Sequence, residues 1–263
     1  MLSHECRGTG PAVVFIAGLG GLGKFWSPVM DRLQASHTVI TLDHPGSGGS
    51  ARRGPQTIPD LADAVLELTA ALGVGRFSVV GHSTGGLVAQ TLALDHAARL
   101  HRLVLSSTWA RADRRFRDLF EIRRRILTEA GLGLYKAHGV LLAYPADTYD
   151  RHAPPLPAPG RDGDDTNEVQ VTAERIDMLV DYSRADDLHR ITTPTLVLGA
   201  TDDQIVPFHH AEHLAQAIAG AQLTALSGGH FPPVTQTDIY TSCLREFLEA
   251  AEPAISAAIA PRS

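Results

Sequence analysis

The chain has 263 residues, 44% hydrophobic and 20% charged, and a formal charge of −6. That length suits one sizeable domain, or one domain bearing an insertion, with a core that needs neither metal nor cross-link. The acidic balance gives no sign of a nucleic-acid partner, and no run reaches the roughly 18 apolar residues of a membrane span. Only Cys6 and Cys243 are available for a disulfide, and the N-terminus lacks a basic head and apolar stretch, so a reduced, cytoplasmic protein is expected.

Residues Pro11 to Ala17 are apolar, rich in β-branched side chains and followed by glycines, which predicts a central parallel strand. His37–Leu42, Phe77–Val80, Arg102–Ser106 and Thr195–Gly199 read as further strands of this kind, and Gln222–Leu226 as a weaker one. Helical patterns fall between them. Asp60–Leu72 places Leu61, Ala64, Val65, Leu68 and Leu72 on one face, and Thr84–Leu94 is small and apolar nearly all round. His209–Ile218 and Ile239–Glu249 follow the late strands. Such alternation predicts an α/β fold with a mostly parallel sheet flanked by helices.

Between about Ala110 and Arg190 the alternation fails. A charged helix over Ala112–Ala130 is followed by a proline-rich stretch from Pro145 to Gly163 and a second helix over roughly Glu168–Asp187. This is too much chain for a simple crossover, so residues 110–190 are expected to form a helical lid on a core of 1–109 and 191–263. The lid would cover the carboxyl edge of the sheet, where open α/β sheets bind ligands. The tail from about Ala250 is expected to fray.

The sharpest chemical signal is Gly81-His82-Ser83-Thr84-Gly85, entered by a strand and left by a helix. A serine on so sharp a turn is strained and exposes its hydroxyl, and side chains two positions either side would collide with neighbouring elements. Ser83 is therefore the candidate nucleophile. It needs a base and an acid to orient the base. Among 13 histidines, His230, in Ser227-Gly228-Gly229-His230-Phe231-Pro232 between the last strand and last helix, is the candidate base. His96, His101, His209, His210 and His213 read as surface or helix-face residues, and His82 as a local packing partner.

Asp202 and Asp203 both stand after the Thr195–Gly199 strand, and adjacent side chains cannot both face His230. Counting from Pro194 and from Ile205-Val206-Pro207 favours Asp203, with Asp202 as the alternative and the other acid as a solvated or capping residue. The Ala17–Gly21 loop lies at the same sheet edge, so the N–H groups of Leu19 and Thr84 are the candidate oxyanion donors. The glycine run is also weighed as a nucleotide loop: Gly18, Gly20 and Gly23 keep the Gly-x-Gly-x-x-Gly spacing and Lys24 follows, but Phe25 stands where a Walker loop carries Ser or Thr, and that reading is set aside. No metal is expected, because neither His44 nor the pair His209-His210 has ligand spacing to nearby carboxylates. Asp43–Ser50 reads as a loop closing after the second strand. Phe25, Trp26, Trp109 and Phe231 flank these segments and either line a substrate pocket or pack the lid. In the first lid helix Arg111, Arg114, Arg115, Arg117, Arg123, Arg124 and Arg125 are interleaved with acids, which predicts an ion-paired face, or one or two arginines reaching a substrate carboxylate.

AGLGG at 17–21, DHPGSGGS at 43–50, GHSTGG at 81–86, the Asp203 turn and SGGHFP at 227–232 together resemble the α/β-hydrolase superfamily over nearly the whole chain. Ala17 stands where many members carry histidine, which leaves the backbone donors in place. Residues 106–147 and 173–191 are similar to aminoacrylate hydrolases of the RutD-like branch, itself related to enol-lactone hydrolases and carboxylesterases. Residues 154–160 and 161–168 depart from that pattern and are expected to reshape the lid entrance. The resemblance implies a Ser-His-Asp carboxylesterase acting on small esters with water and no cofactor. Alternatives are an aminoacrylate or enol-lactone hydrolase, a carbon–carbon bond hydrolase, and a non-catalytic small-ligand receptor on the same scaffold. A homodimer through the lid or an edge strand is compatible with the sequence.

Overall fold

One sheet runs through the computed structural model, which describes residues 1–156 and 166–250. Its strands are β1 (His4–Arg7), β2 (Ala12–Ile16), β3 (Thr38–Leu42), β4 (Phe77–His82), β5 (Leu100–Ser106), β6 (Thr195–Ala200) and β7 (Gln222–Leu226). They lie in the order β1-β3-β2-β4-β5-β6-β7. Only β1 runs antiparallel, pairing Cys6 with Ile40 of β3. The architecture is the expected one, and each expected strand is present within two residues of its predicted ends. β1 escaped prediction because it is an exposed, polar edge strand without an apolar run.

Alternate strand residues face two separate layers. Val14, Ile16, Val79, Leu103, Leu105 and Val197 join one core; Val13, Phe15, Val39, Val80, Val104 and Leu198 join the other. The second core is closed by α1 (Ser27–Leu33) and by Tyr240, Leu244 and Phe247 of the last helix. The first is closed by α2 (Ile58–Ala71) and α3 (Thr84–Asp95). α2 begins with a capping box, Asp60 N–H donating to Thr57 Oγ1 at 3.2 Å and Thr57 N–H to Asp60 Oδ2 at 2.8 Å. α3 buries every residue from Thr84 to Ala93, as its composition implied.

Among the described residues four α-helices are inserted between β5 and β6: α4 (Arg114–Arg125), α5 (Leu132–Ala143), α6 (Tyr149–His152) and α7 (Thr166–Asp181). A π-helical turn over Ile126–Ala130 links α4 to α5. α5 was not anticipated: its two glycines, Gly133 and Gly139, weaken the helical signal. The lid is fastened by a ring stack, with Trp109 4.4 Å from Phe116 and Phe116 4.6 Å from Phe120. After β6 come α8 (His209–Ala217), the short α9 (Pro232–Thr235) and α10 (Thr237–Glu249). The proline-rich lid entrance over 157–165 and the tail beyond 250 lie outside the described residues. Among those described, no helix is long and apolar enough to cross a membrane.

Candidate active site

Strand order reverses at β2, whose neighbours are β3 on one side and β4 on the other. The loops leaving β2 and β4 therefore meet at the carboxyl edge, and the crevice between them is where a ligand fits. Ser83 follows β4 directly with φ 53° and ψ −121°, a conformation rare for a residue with a side chain. The crowding that the flanking glycines implied is real. A Cβ on Gly81 would stand 2.3 Å from Gly85 O, and one on Gly85 would stand 2.3 Å from Ile16 O. Thr108 Oγ1 also donates to Ser83 O at 2.7 Å, bracing the strained residue.

His230 Nε2 lies 3.1 Å from Ser83 Oγ, and its Nδ1 lies 2.8 Å from Asp203 Oδ2. All three residues are buried. The other Asp203 oxygen accepts from the N–H groups of Ile205 at 2.8 Å and Val206 at 2.9 Å, which fixes the carboxylate. With an anion at Nδ1, the imidazole carries its proton there and offers Nε2 as acceptor to the serine hydroxyl. The structure thus brings together Ser83, Asp203 and His230. Asp202 is solvated, one of the two roles left to it, and it does more than that: its two oxygens accept from Gly228 N–H at 3.1 Å and Gly229 N–H at 3.0 Å, holding the loop that presents His230.

The Ala17–Gly21 loop is pressed against the nucleophile, since a Cβ on Gly18 would come within 3.1 Å of Ser83 Cβ. Thr84 follows Ser83 directly as the first residue of α3, at the positive end of that helix. His82 packs locally, its ring 4.9 Å from that of Phe25 and 5.0 Å from that of His230. Burial, and then the neighbouring His230, push its pKa well below the usual histidine value.

A cavity of about 460 Å³ opens over Ser83. Phe25 and Phe231 line it, as proposed from sequence. Trp26 and Trp109 do not. Trp26 is fully buried beneath the sheet against Phe15 and Tyr240, and Trp109 glues the lid to the core.

The lid arginines divide as the two readings allowed. Arg111 pairs with Asp186, Arg114 with Asp118, Arg124 with Asp177 and Arg125 with Glu121, all partly or largely exposed. Arg123 instead turns inward to the cavity and is 7% exposed. Its guanidinium stacks over the rings of Tyr135 at 4.5 Å and Phe120 at 5.6 Å, and its Nε has no hydrogen-bond partner. Gly139 packs closely beside it, since a Cβ there would sit 3.0 Å from both terminal nitrogens.

Sequence reasoning missed Arg175 on α7. It donates from Nη1 to Leu19 O at 3.0 Å and Ser47 Oγ at 2.8 Å, and from Nη2 to Pro45 O at 2.9 Å. Burial lowers its pKa to about 10, with Glu174 acting in the opposite sense. The signal was present: Val171, Arg175 and Leu179 form one buried i, i+4 stripe, and an arginine in such a stripe needs partners. The expectation that His209-His210 lacks a carboxylate is also revised. Asp113, from the start of the lid, lies against both rings, and His210 is buried rather than at the surface.

The alpha/beta hydrolase fold family matches residues 11–236. A curated Caulobacter sp. protein, "Putative carbamate hydrolase RutD", is 36% identical over 261 residues, covering 94% of this chain and 95% of its own. Among solved structures, an enol-lactonase from Burkholderia xenovorans superposes with TM-score 0.84 at 26% identity, covering 95% of this chain and 96% of that one. A thermophilic esterase from Thermogutta terrifontis, solved with malate bound, superposes with TM-score 0.80 at 27% identity over 94% of this chain and 92% of its own.

Proposed function

The chain belongs to the α/β-hydrolase fold family, and we propose that it hydrolyses a small carboxylate-bearing substrate through Ser83, His230 and Asp203. The substrate class is an enol-lactone, an aminoacrylate- or carbamate-type compound, or a related ester. The observation that carries the acyl-transfer chemistry is the unbroken line from Asp203 Oδ2 to His230 at 2.8 Å and from His230 to Ser83 Oγ at 3.1 Å. His230 Nε2 takes the hydroxyl proton as Ser83 Oγ attacks the substrate carbonyl. The oxyanion that forms meets the N–H groups of Leu19 and Thr84, which need no reorganisation because they are backbone. Protonated His230, steadied by Asp203, gives its proton to the leaving group. Water, deprotonated by His230 in turn, then clears the acyl-enzyme.

Arg123 favours an acidic substrate over a plain ester. Among the described residues no anion pairs with this buried guanidinium, an unpaired state that is costly, and a carboxylate is the planar anion that its fork fits. The relatives named as a putative carbamate hydrolase and an enol-lactonase support these substrate classes over a plain ester. The test compares kcat/KM for matched lactones and esters with and without a carboxylate, using wild type and Ser83→Ala, with a fluorophosphonate to label the nucleophile. Turnover that depends on Ser83 and prefers the carboxylate is expected. Preference for neutral p-nitrophenyl esters would return the assignment to a simple carboxylesterase, and a folded protein left unlabelled at Ser83 would remove the nucleophile itself.

A further inference from the structure

A second cluster of chemistry-bearing side chains lies where lid meets core, outside the triad. Asp113 caps α4, its Oδ1 accepting from Phe116 N–H at 2.8 Å. That leaves Oδ2 free to face α8, where it lies 3.0 Å from His209 Nε2 and 3.3 Å from His210 Nε2. One ligand atom from each of the three residues falls within 4.8 Å of the other two. The His210 ring is 3% exposed, yet its Nε2 has no hydrogen-bond partner, so the approach to Asp113 lacks the alignment of a hydrogen bond. A buried ring nitrogen without a partner is costly, and this one is aimed into the cluster.

We propose that Asp113, His209 and His210 form a divalent transition-metal site of the zinc class that ties the cap of the first lid helix to the core. Ligand bonds of about 2.0–2.1 Å in tetrahedral geometry put ligand atoms about 3.3 Å apart, close to the two separations to Asp113. Two neutral imidazoles and one carboxylate match zinc and its neighbours in the first transition row, whereas calcium and magnesium take oxygen ligands. Asp113 and His209 are partly exposed, so an ion enters from solvent and water completes its coordination. The positive end of α8 opposes a cation, which makes the Asp113 charge more important than a third donor alone.

The site is tested by titrating zinc into protein stripped with chelator, following heat of binding, with cobalt as a spectroscopic stand-in for coordination number. One equivalent is expected to bind with micromolar or tighter affinity and to raise the melting temperature. Asp113→Asn, which keeps the helix cap, and His209→Gln should each weaken binding about tenfold or more. They should also abolish the zinc-dependent rise in melting temperature. His213 lies on the exposed side of α8 with its ring 5.6 Å from that of His209, so it could form a rival pair with His209. His213→Gln should leave the affinity within about twofold. The proposal is overturned if folded wild type takes up no equivalent at about 100 µM zinc. It is equally overturned if binding survives Asp113→Asn or is lost with His213→Gln.

Discussion

The sheet edge and the lid build the same cavity by different physical means. At the sheet edge, position is set by backbone. Ser83 is held by a strained turn that two glycines permit, Asp203 by the amides of Ile205 and Val206, and the His230 loop by its amides on Asp202. The lid works through single long side chains. Arg123 reaches into the cavity, and Arg175 clamps the Ala17–Gly21 and Asp43–Ser50 loops from above. The two regions meet at His230 N–H, which donates to Ala143 O at the end of α5 at 2.8 Å. Edge substitutions should therefore abolish chemistry, whereas lid substitutions should tune it by factors.

The largest effects test the edge. Ser83→Ala should lower kcat by about 10⁴-fold or more with the melting temperature unchanged. Asp203→Asn should cost about 10³- to 10⁴-fold, because an amide at Nδ1 disfavours the tautomer that His230 needs. Asp202→Asn removes charge from two amide bonds but leaves the triad in place, so a loss of about tenfold is expected. Equal losses at 202 and 203, measured by steady-state kinetics, would contradict this division of work between adjacent acids.

The same contrast explains what could be read in advance. Gly81, Ser83 and Gly85, the late histidine and the acid after β6 were legible because backbone geometry restricts residue type at fixed spacing. Side-chain clamps impose no such local rule. Arg123 is one of seven arginines in its segment, and only packing against Gly139, Tyr135 and Phe120 distinguishes it. Asp113 and His209 are 96 positions apart, so no local spacing joins them. Asp202 against Asp203 was decided by counting, but the use of the second acid needed the fold of the 227–232 loop. β1 and α5 were hidden because one is polar and the other carries glycines.

Acid should weaken the join between the two regions. His44 is fully buried, and burial, followed by the Arg175 charge, lowers its pKa from 6.5 to about 3. His82 is lowered well below 6.5 by burial and then by His230. Between those values and 6.5 the unfolded chain binds protons that the folded chain refuses. Stability is therefore complete above about pH 6.5 and falls as pH drops, by up to about 1.4 kcal/mol per unit for each ring. Urea unfolding at pH 7 and pH 5 should differ by about 2 kcal/mol from His44, with His82 acting in the same sense. A flat profile over that range would mean that the two rings are not held neutral.

Arg123→Met separates substrate binding from chemistry. On a carboxylate-bearing substrate kcat/KM should fall by about 30- to 100-fold, the worth of charge-assisted hydrogen bonds to a guanidinium. On the matched neutral ester it should stay within about threefold, since Ser83 and His230 are untouched. Among the described residues no acid pairs with Arg123, so removing this buried cation should also raise the melting temperature. An equal loss on both substrates would make Arg123 a packing residue.

Arg175→Lys carries the smallest expected change and bears most directly on how a lid acts on a sheet edge. Arg175 does not line the cavity; it is a positioning residue, with one terminal nitrogen on Leu19 O and Ser47 Oγ and the other on Pro45 O. Leu19 O is the far side of the residue whose N–H is the proposed oxyanion donor, so the clamp sets the direction of that N–H. Lysine keeps the charge but loses the planar fork that spans three acceptors. The donor would then be poorly aimed when the oxyanion forms, though the ground-state carbonyl binds as before. kcat should fall about tenfold with KM nearly constant, and equally for carboxylate and neutral substrates, unlike Arg123→Met. A purely structural clamp would lower the melting temperature and leave kcat at its wild-type value below that temperature. A change confined to KM would place Arg175 in substrate binding instead.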